Sequence, residues 1–191
     1  MPFNIEIKAA VPNPDHLLTL CKNLKNCHYI EELHQHDTFY NTIVPGNRLK
    51  LRRVKNLNRY MLISYDRPDA AGDKLSDYQL TKLNDSETAE NLDSTLRQSL
   101  GAKNDVKKIR TLFLYTDPES KITTRVHLDN VEDLGHFMEL EIQLPDDQEK
   151  SKKHGDRICN LLKEKLEILD DNLISGAYAD HLKKWFFFNF F

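Results

Sequence analysis

The chain has 191 residues, 39% of them hydrophobic and 30% charged, a length and apolar content that suit one domain, residues 1–191, with a sizeable buried core. Lys and Arg number 27 against 30 Asp and Glu, a formal net charge of −3, which is not the footprint of a general nucleic-acid binder. Any anion site must therefore be a local concentration of bases. In chain order, Phe3 to Val11 alternates apolar and polar residues over its first half and reads as a strand, stopped by Pro12-Asn13-Pro14. Asp15 is the expected N-cap of a helix from His16 to about Lys25, with Leu17, Leu20, Cys21 and Leu24 on one face. Glu32 to Thr42 is extended, Val44 to Asn47 is a turn, and Arg48 to Val54 alternates strictly, so these form a hairpin. Arg59 to Tyr65 and Ser76 to Leu83 make the next pair of strands. Asp85 to Leu100 is helical, with Leu92, Leu96 and Leu100 in steps of four and Gly101 as its stop. Three more strands follow, Val106 to Tyr115, Ile122 to Asp129 and Phe137 to Leu144. The chain then turns helical from about Gln148 to Lys165 and again over Ser175 to Trp185. The expected class is α+β, with about eight strands joined mainly by hairpins and helices outside.

No apolar run approaches the roughly 20 residues that span a bilayer, and the first residues lack a signal-peptide pattern, so a cytoplasmic protein without membrane contact is expected. Cys21, Cys27 and Cys159 have no paired spacing and read as reduced thiols. The aromatic tail from Trp185 to Phe191 is expected to dock on the domain, with a homodimer contact as the other use of such a surface.

The chemistry lies in the strand alternation, because residues i and i+2 share a face. Glu6 and Lys8 point one way, away from Ile5 and Ile7. The same rule groups Arg48, Lys50 and Arg52; Lys108 and Arg110; Arg125, His127 and Asp129; and Glu139 and Glu141. Any one such pair suits an ordinary half-solvated sheet. Together, five strands with dense mixed charge on one face and apolar residues on the other describe a sheet curled into a barrel, its lumen charged and its hydrophobic core outside the wall. Six cations facing four carboxylates across a lumen are costly unless an anion lies along the bases and a cation bridges the acids. A polyphosphate with Mg²⁺ or Mn²⁺ between its oxygens and the carboxylates satisfies both sets, since hard divalent ions prefer oxygen ligands.

The stretches NIEIK (Asn4 to Lys8), LKLR (Leu49 to Arg52), KKIR (Lys107 to Arg110), RVHLD (Arg125 to Asp129), LGHFMELE (Leu134 to Glu141) and SGAYADHL (Ser175 to Leu182) together resemble the CYTH family, or triphosphate tunnel metalloenzymes. The resemblance covers nearly the whole chain. It implies an eight-stranded antiparallel β-barrel forming a triphosphate tunnel, a small-molecule triphosphate substrate, and one or two divalent metals. Carried over by position, it implies Glu6, Glu139 and Glu141 as catalytic metal ligands and Asp129 as a ligand or near neighbour. It implies Lys8, Lys50, Arg52, Lys108, Arg110 and Arg125 as phosphate-binding residues, with a metal-bound water attacking the terminal phosphorus. Two departures stand out. Asn4 occupies the place of the first Glu of the family's ExExK signature, and Arg67 in SYDRP stands where a Lys is usual.

Within the resemblance, the leading expectation is a hydrolase of inorganic tripolyphosphate, a nucleoside triphosphate or thiamine triphosphate. The alternatives are an adenylyl cyclase releasing cyclic AMP and pyrophosphate, and a polyphosphate-binding module in which Asn4 has ended catalysis. A cyclase needs a pocket for base and ribose, of which the sequence gives no sign, and a thiamine ring would want a placed Trp. The remaining singled-out residues have plainer readings: His34 and His36 lack a third ligand, His127 suits a hydrogen-bonded structural role, and Asp37 and Tyr40 are structural. Tyr78 and Tyr178 could each close over a substrate, although a buried, singly hydrogen-bonded Tyr is commoner.

Overall fold

The computed structural model describes residues 3–66, 77–146 and 148–182. In chain order these form β1 (Phe3–Ala10), α1 (Pro14–Asn23), β2 (Cys27–Tyr40), β3 (Asn47–Val54), β4 (Arg59–Asp66), β5 (Asp77–Leu83), α2 (Ser86–Leu100), β6 (Ala102–Thr116), β7 (Thr123–Val131), β8 (Gly135–Leu144) and α3 (Glu149–Lys165). The strands make one antiparallel sheet in the order β1-β8-β7-β6-β2-β3-β4-β5. No ladder joins β1 to β5, so the expected barrel is a strongly curled sheet not closed by hydrogen bonds. Its curl brings Glu6 of β1, Lys50 of β3 and Leu80 of β5 round a single cavity.

Local chemistry sets the helix limits. Asn13, not the expected Asp15, caps α1: its side chain accepts from the His16 amide at 3.1 Å, and Pro14 takes the first position, where no amide hydrogen is needed. Asp85, read as the first helical residue, is instead the cap of α2, accepting from the Thr88 amide at 2.7 Å, and Gly101 ends the helix as expected at φ 74°, a region that disfavours other residues. The β2 strand carries a register shift between Tyr29 and Glu31, which turns Glu31 toward the cavity while Tyr29 packs edge-on against Phe113 outside it.

The main core lies outside the wall, as the alternation requires. Ile5, Phe113, Val126, Met138, Leu140 and Ile142 meet Leu17 and Cys21 of α1 and Ile158 and Leu162 of α3. Each such buried side chain contributes roughly 1.5–3 kcal/mol. The predicted leucine stripe of α2 is only half-buried, and Ala89 is its fully buried residue. A second cluster joins Phe39, Val106 and Val131 to Tyr178, Ala179 and Leu182, fixing the segment after α3 against one end of the sheet. The Ile174 amide donates to the Lys8 carbonyl at 2.9 Å, so this segment also covers part of the β1 edge. Of the helix expected over Ser175 to Trp185, residues 178–182 are helical; the tail, Arg67 and the Tyr78 side chain lie outside the described features.

Candidate active site

The inner face of the sheet encloses a cavity of about 480 Å³. Glu6, Lys8, Lys50, Arg52, Lys108, Arg110, Arg125, Glu139 and Glu141 all line it, each placed by the two-residue alternation of its strand. Register arranges them into three groups.

The first group is an acidic stripe on β1 and β8. Glu6 stands opposite Glu141, and Lys8 opposite Glu139. Like charges facing each other across a strand pair repel, so the stripe depends on cations at its flanks. Lys8 Nζ lies 3.3 Å from Glu139 and 3.8 Å from Glu6, Arg110 reaches Glu139 at 3.4 Å, and Arg125 reaches Glu141 at 3.2 Å. Asn4 Nδ2 donates to the other oxygen of Glu141 at 3.2 Å, so the departure from the family signature puts an amide donor on this carboxylate.

The second group is centred on Asp129. Arg110 grips it with two bonds of 2.6 and 2.7 Å, Lys108 donates at 3.2 Å, and the Tyr178 hydroxyl donates at 2.9 Å. Asp129, expected as a metal ligand or neighbour, thus has both oxygens committed to bases and a hydroxyl, and its position is that of a buried counter-anion. Burial alone would raise its carboxyl, but Arg110 and Lys108 outweigh this and hold it well below the usual range. The Tyr178 ring adds cation–π contacts, its centroid 4.6 Å from Lys8 Nζ and 4.9 Å from Lys108 Nζ.

The third group repeats the second on β2 and β3. Asp37 accepts from Arg52 at 2.7 and 2.6 Å and from Lys50 at 3.0 Å. Its carboxyl is likewise held low, the bases overcoming the effect of burial. The lysines of both groups shift the other way: burial, helped by Arg110, pushes Lys108 down to about 7, and burial, helped by Arg52, pushes Lys50 down to about 8.

Asp37, expected as a structural residue of its strand, lines the cavity, and Glu31 and Gln35 join it there. All three follow from the alternation Glu31, Leu33, Gln35, Asp37, Phe39, with Asp37 directly opposite Arg52 in the hairpin. The same alternation turns His34 and His36 outward, where they meet Glu32 at 2.7 Å and Asp105 at 2.8 Å, respectively. His127 faces the cavity and is buried, with Nδ1 3.7 Å from Glu139, too long for a hydrogen bond. Arg48 shares a face with Lys50 but turns to Asp180 at 2.8 Å.

Among the described residues no three His, Cys, Asp or Glu side chains converge as a ready-made metal cage. The donors nevertheless suit a hard divalent ion, because Mg²⁺ takes one or two carboxylates and completes its shell with water and substrate phosphate. Glu6, Glu139 and Glu141 are the lining carboxylates of that kind on one stripe, and each has a polar neighbour: Lys8 beside Glu6 and Glu139, Arg110 beside Glu139, and Arg125 and Asn4 on Glu141.

A curled eight-stranded sheet with its core outside and an acid-and-base-lined lumen defines a tunnel protein. The chain belongs to the CYTH domain family, whose model matches residues 2–178. Its fold is similar to that of the PH1012 protein of Pyrococcus horikoshii OT3, at 18% identity and a TM-score of 0.75 over 93% of this chain and 98% of that one. It is also similar to an adenylate cyclase candidate from Vibrio parahaemolyticus, at 22% identity and a TM-score of 0.71 over 95% of this chain and 98% of that one. A third similar fold is that of HpAC1 from Hippeastrum, an adenylyl cyclase candidate with a dominant triphosphatase activity, at 12% identity and a TM-score of 0.59 over 86% of this chain and 88% of that one. No curated protein matches the sequence. Among the described residues no helix is long and apolar enough to cross a membrane.

Proposed function

We propose that the chain is a divalent-metal-dependent hydrolase of a triphosphate-bearing small molecule. The observation that carries this reading is the grouping of Lys50 and Arg52 on Asp37, and of Lys108 and Arg110 on Asp129, around a cavity whose other side is the Glu6, Glu139 and Glu141 stripe. A linear polyanion entering the cavity competes with the two aspartates for the same four bases. Lys8 and Arg125 flank the acidic stripe and take up oxygens beside the metal position. Charge-assisted bonds from Arg forks fix phosphate orientation and stabilise charge on both the transferred and the leaving groups. Mg²⁺ or Mn²⁺ held by the Glu6, Glu139 and Glu141 stripe would supply Lewis-acid polarisation and a water of lowered pKa. The triphosphatase activity of HpAC1 is of the same class.

The test is one panel of tripolyphosphate, ATP and thiamine triphosphate, each with Mg²⁺ or Mn²⁺, scoring phosphate, pyrophosphate and cyclic AMP together. Metal-dependent phosphate release without cyclic AMP is expected, and Glu141→Gln should lower kcat by on the order of 100-fold or more while the fold is kept. Matched pyrophosphate and cyclic AMP would assign a cyclase instead, and full activity in Glu141→Gln would remove Glu141 from the metal site.

A further inference from the structure

His127 lines the lumen and is 4% exposed, and among the described residues no hydrogen bond reaches its Nδ1. The sequence suited it to a hydrogen-bonded structural role, and a histidine of that kind would have a partner, since buried polar groups are almost always paired. Its polar neighbours are all engaged. One oxygen of Glu139 takes Lys8 and Arg110, Asp129 takes Arg110, Lys108 and the Tyr178 hydroxyl, and Arg125 reaches Glu141. The imidazole is thus a polar group with hydrogen-bonding capacity to spare, set in the wall of a cavity.

Register fixes what surrounds it. One row across the sheet reads Leu112, His127, Glu139 and Lys8. The row on one side holds Arg110 and Asp129, and the row on the other holds Arg125, Glu141 and Glu6. The ring therefore stands between two arginines and directly opposite a carboxylate. That position restricts which side chain could serve an anion there. A base opposite Glu139 would be drawn into an ion pair, and a carboxylate would repel the ligand. An apolar side chain would leave a phosphate oxygen without a partner. An imidazole carries an N–H on one of its two nitrogens without needing a net charge, so it can donate where a base would be tied down.

We infer that His127 is a further ligand-contacting residue, an uncharged hydrogen-bond donor to a phosphate oxygen lying between Arg110 and Arg125. This rests on the proposed triphosphate site and deepens it by adding a neutral contact to the six basic ones. The competing role is a structural one toward Glu139, whose Oε1 lies 3.7 Å from Nδ1.

The experiment measures equilibrium binding of tripolyphosphate, without added divalent ions, to the full chain and to His127→Phe and His127→Gln. Phe keeps a planar ring and removes the donor, and should weaken binding about 10-fold or more, as expected for a lost hydrogen bond to a charged group. Gln carries an amide donor and should recover most of that loss. The loss in His127→Phe should be the same at low and high salt, because no charge is removed, whereas the loss in Arg125→Ala should shrink as salt rises. In the wild type, the imidazole nitrogen resonances, assigned by their absence from His127→Gln, should shift when tripolyphosphate saturates the protein, a readout that does not need the Phe variant to fold. If His127→Phe binds as the wild type does, if both variants weaken binding equally, or if the imidazole resonances stay still, the contact is overturned while the triphosphate site stands. If the wild type binds no tripolyphosphate, the triphosphate reading itself falls and this contact with it.

Discussion

Triphosphate binding should draw protons from solution near neutral pH. In the ligand-free tunnel, burial and the neighbouring guanidinium groups leave Lys108 near 7 and Lys50 near 8, so at about pH 7.5 the two together carry roughly one positive charge rather than two. A bound polyanion favours the charged form of both, and about one proton is therefore taken up per ligand at about pH 7.5, against roughly 0.1 at about pH 6. Titration calorimetry in two buffers of different ionisation enthalpy measures this directly, since the difference in observed heat reports the protons exchanged with buffer. Equal heats in both buffers at pH 7.5 would show that Asp37 and Asp129 already keep both lysines charged, and would refute the argument. The sign carries through to stability. In the unfolded chain a lysine titrates near 10.4, so between about pH 7 and 10 the unfolded state binds more protons and the ligand-free fold gains stability as pH rises. From about pH 7 to 8.5 the two lysines contribute about 2 kcal/mol. The thiols work the other way: burial raises Cys21 to about 12 and Cys27 to about 11. Their ionisation in the unfolded chain takes back roughly 1 kcal/mol over the same range. Denaturant melts at the two pH values should show the remainder as a higher midpoint at the upper one.

Two further perturbations separate gripping from positioning. Arg52→Ala removes a fork that would hold phosphate, and should raise KM for the triphosphate about 10-fold or more with a smaller effect on kcat, the loss shrinking at high salt; a normal KM would argue against Arg52 as a phosphate-binding residue. Asp129→Asn strips the partner from Arg110 and Lys108 and should destabilise the ligand-free fold by about 3–5 kcal/mol. Added tripolyphosphate should restore much of the lost melting temperature, because the ligand anion takes the vacated place, and a melt indifferent to tripolyphosphate would count against that substitution of one anion for another.

The strand alternation made most of the fold and the charged side of the site legible in the sequence. Strands such as RLKLRRV and GHFMELEIQL have one charged and one apolar face, and period two leaves no choice about which residues share the lumen. Two things escaped it. Whether the sheet closes depends on whether β1 and β5 pair, and that is a matter of curl and register accumulated over every strand, not of any one segment. The partition of the acids escaped as well. Asp129 and Glu139 sit on neighbouring inward-facing strands and look equivalent in a list, yet Asp129 falls opposite Arg110 and is saturated, while Glu139 falls opposite Lys8 and His127. The apolar lining of β4 was hidden for another reason: RYMLISY has apolar residues on both faces, so alternation does not mark Ile63 as facing a cavity.

The paired aspartates explain how the four-base side of the lumen survives without ligand. Four cations near each other in a buried space repel, and a fold that left them bare would have to neutralise them or open. Asp37 and Asp129 each sit at bonding distance from one Lys–Arg pair and together offset the charge of two of the four bases. Burial, helped by that remaining excess, depresses Lys50 and Lys108, and the excess is also what an incoming anion meets. A site in which every base had its own carboxylate would be more stable empty, and would have less to gain from phosphate. A site with none would not hold its bases in register. The ratio of one aspartate to two bases keeps the forks of Arg52 and Arg110 oriented toward the lumen while leaving net positive charge for the ligand. On this reasoning an added carboxylate, as in Gln35→Glu beside Lys108, should raise the melting temperature of the ligand-free protein and weaken triphosphate binding together. A variant that gained one without losing the other would break the link between the empty tunnel's residual charge and its affinity.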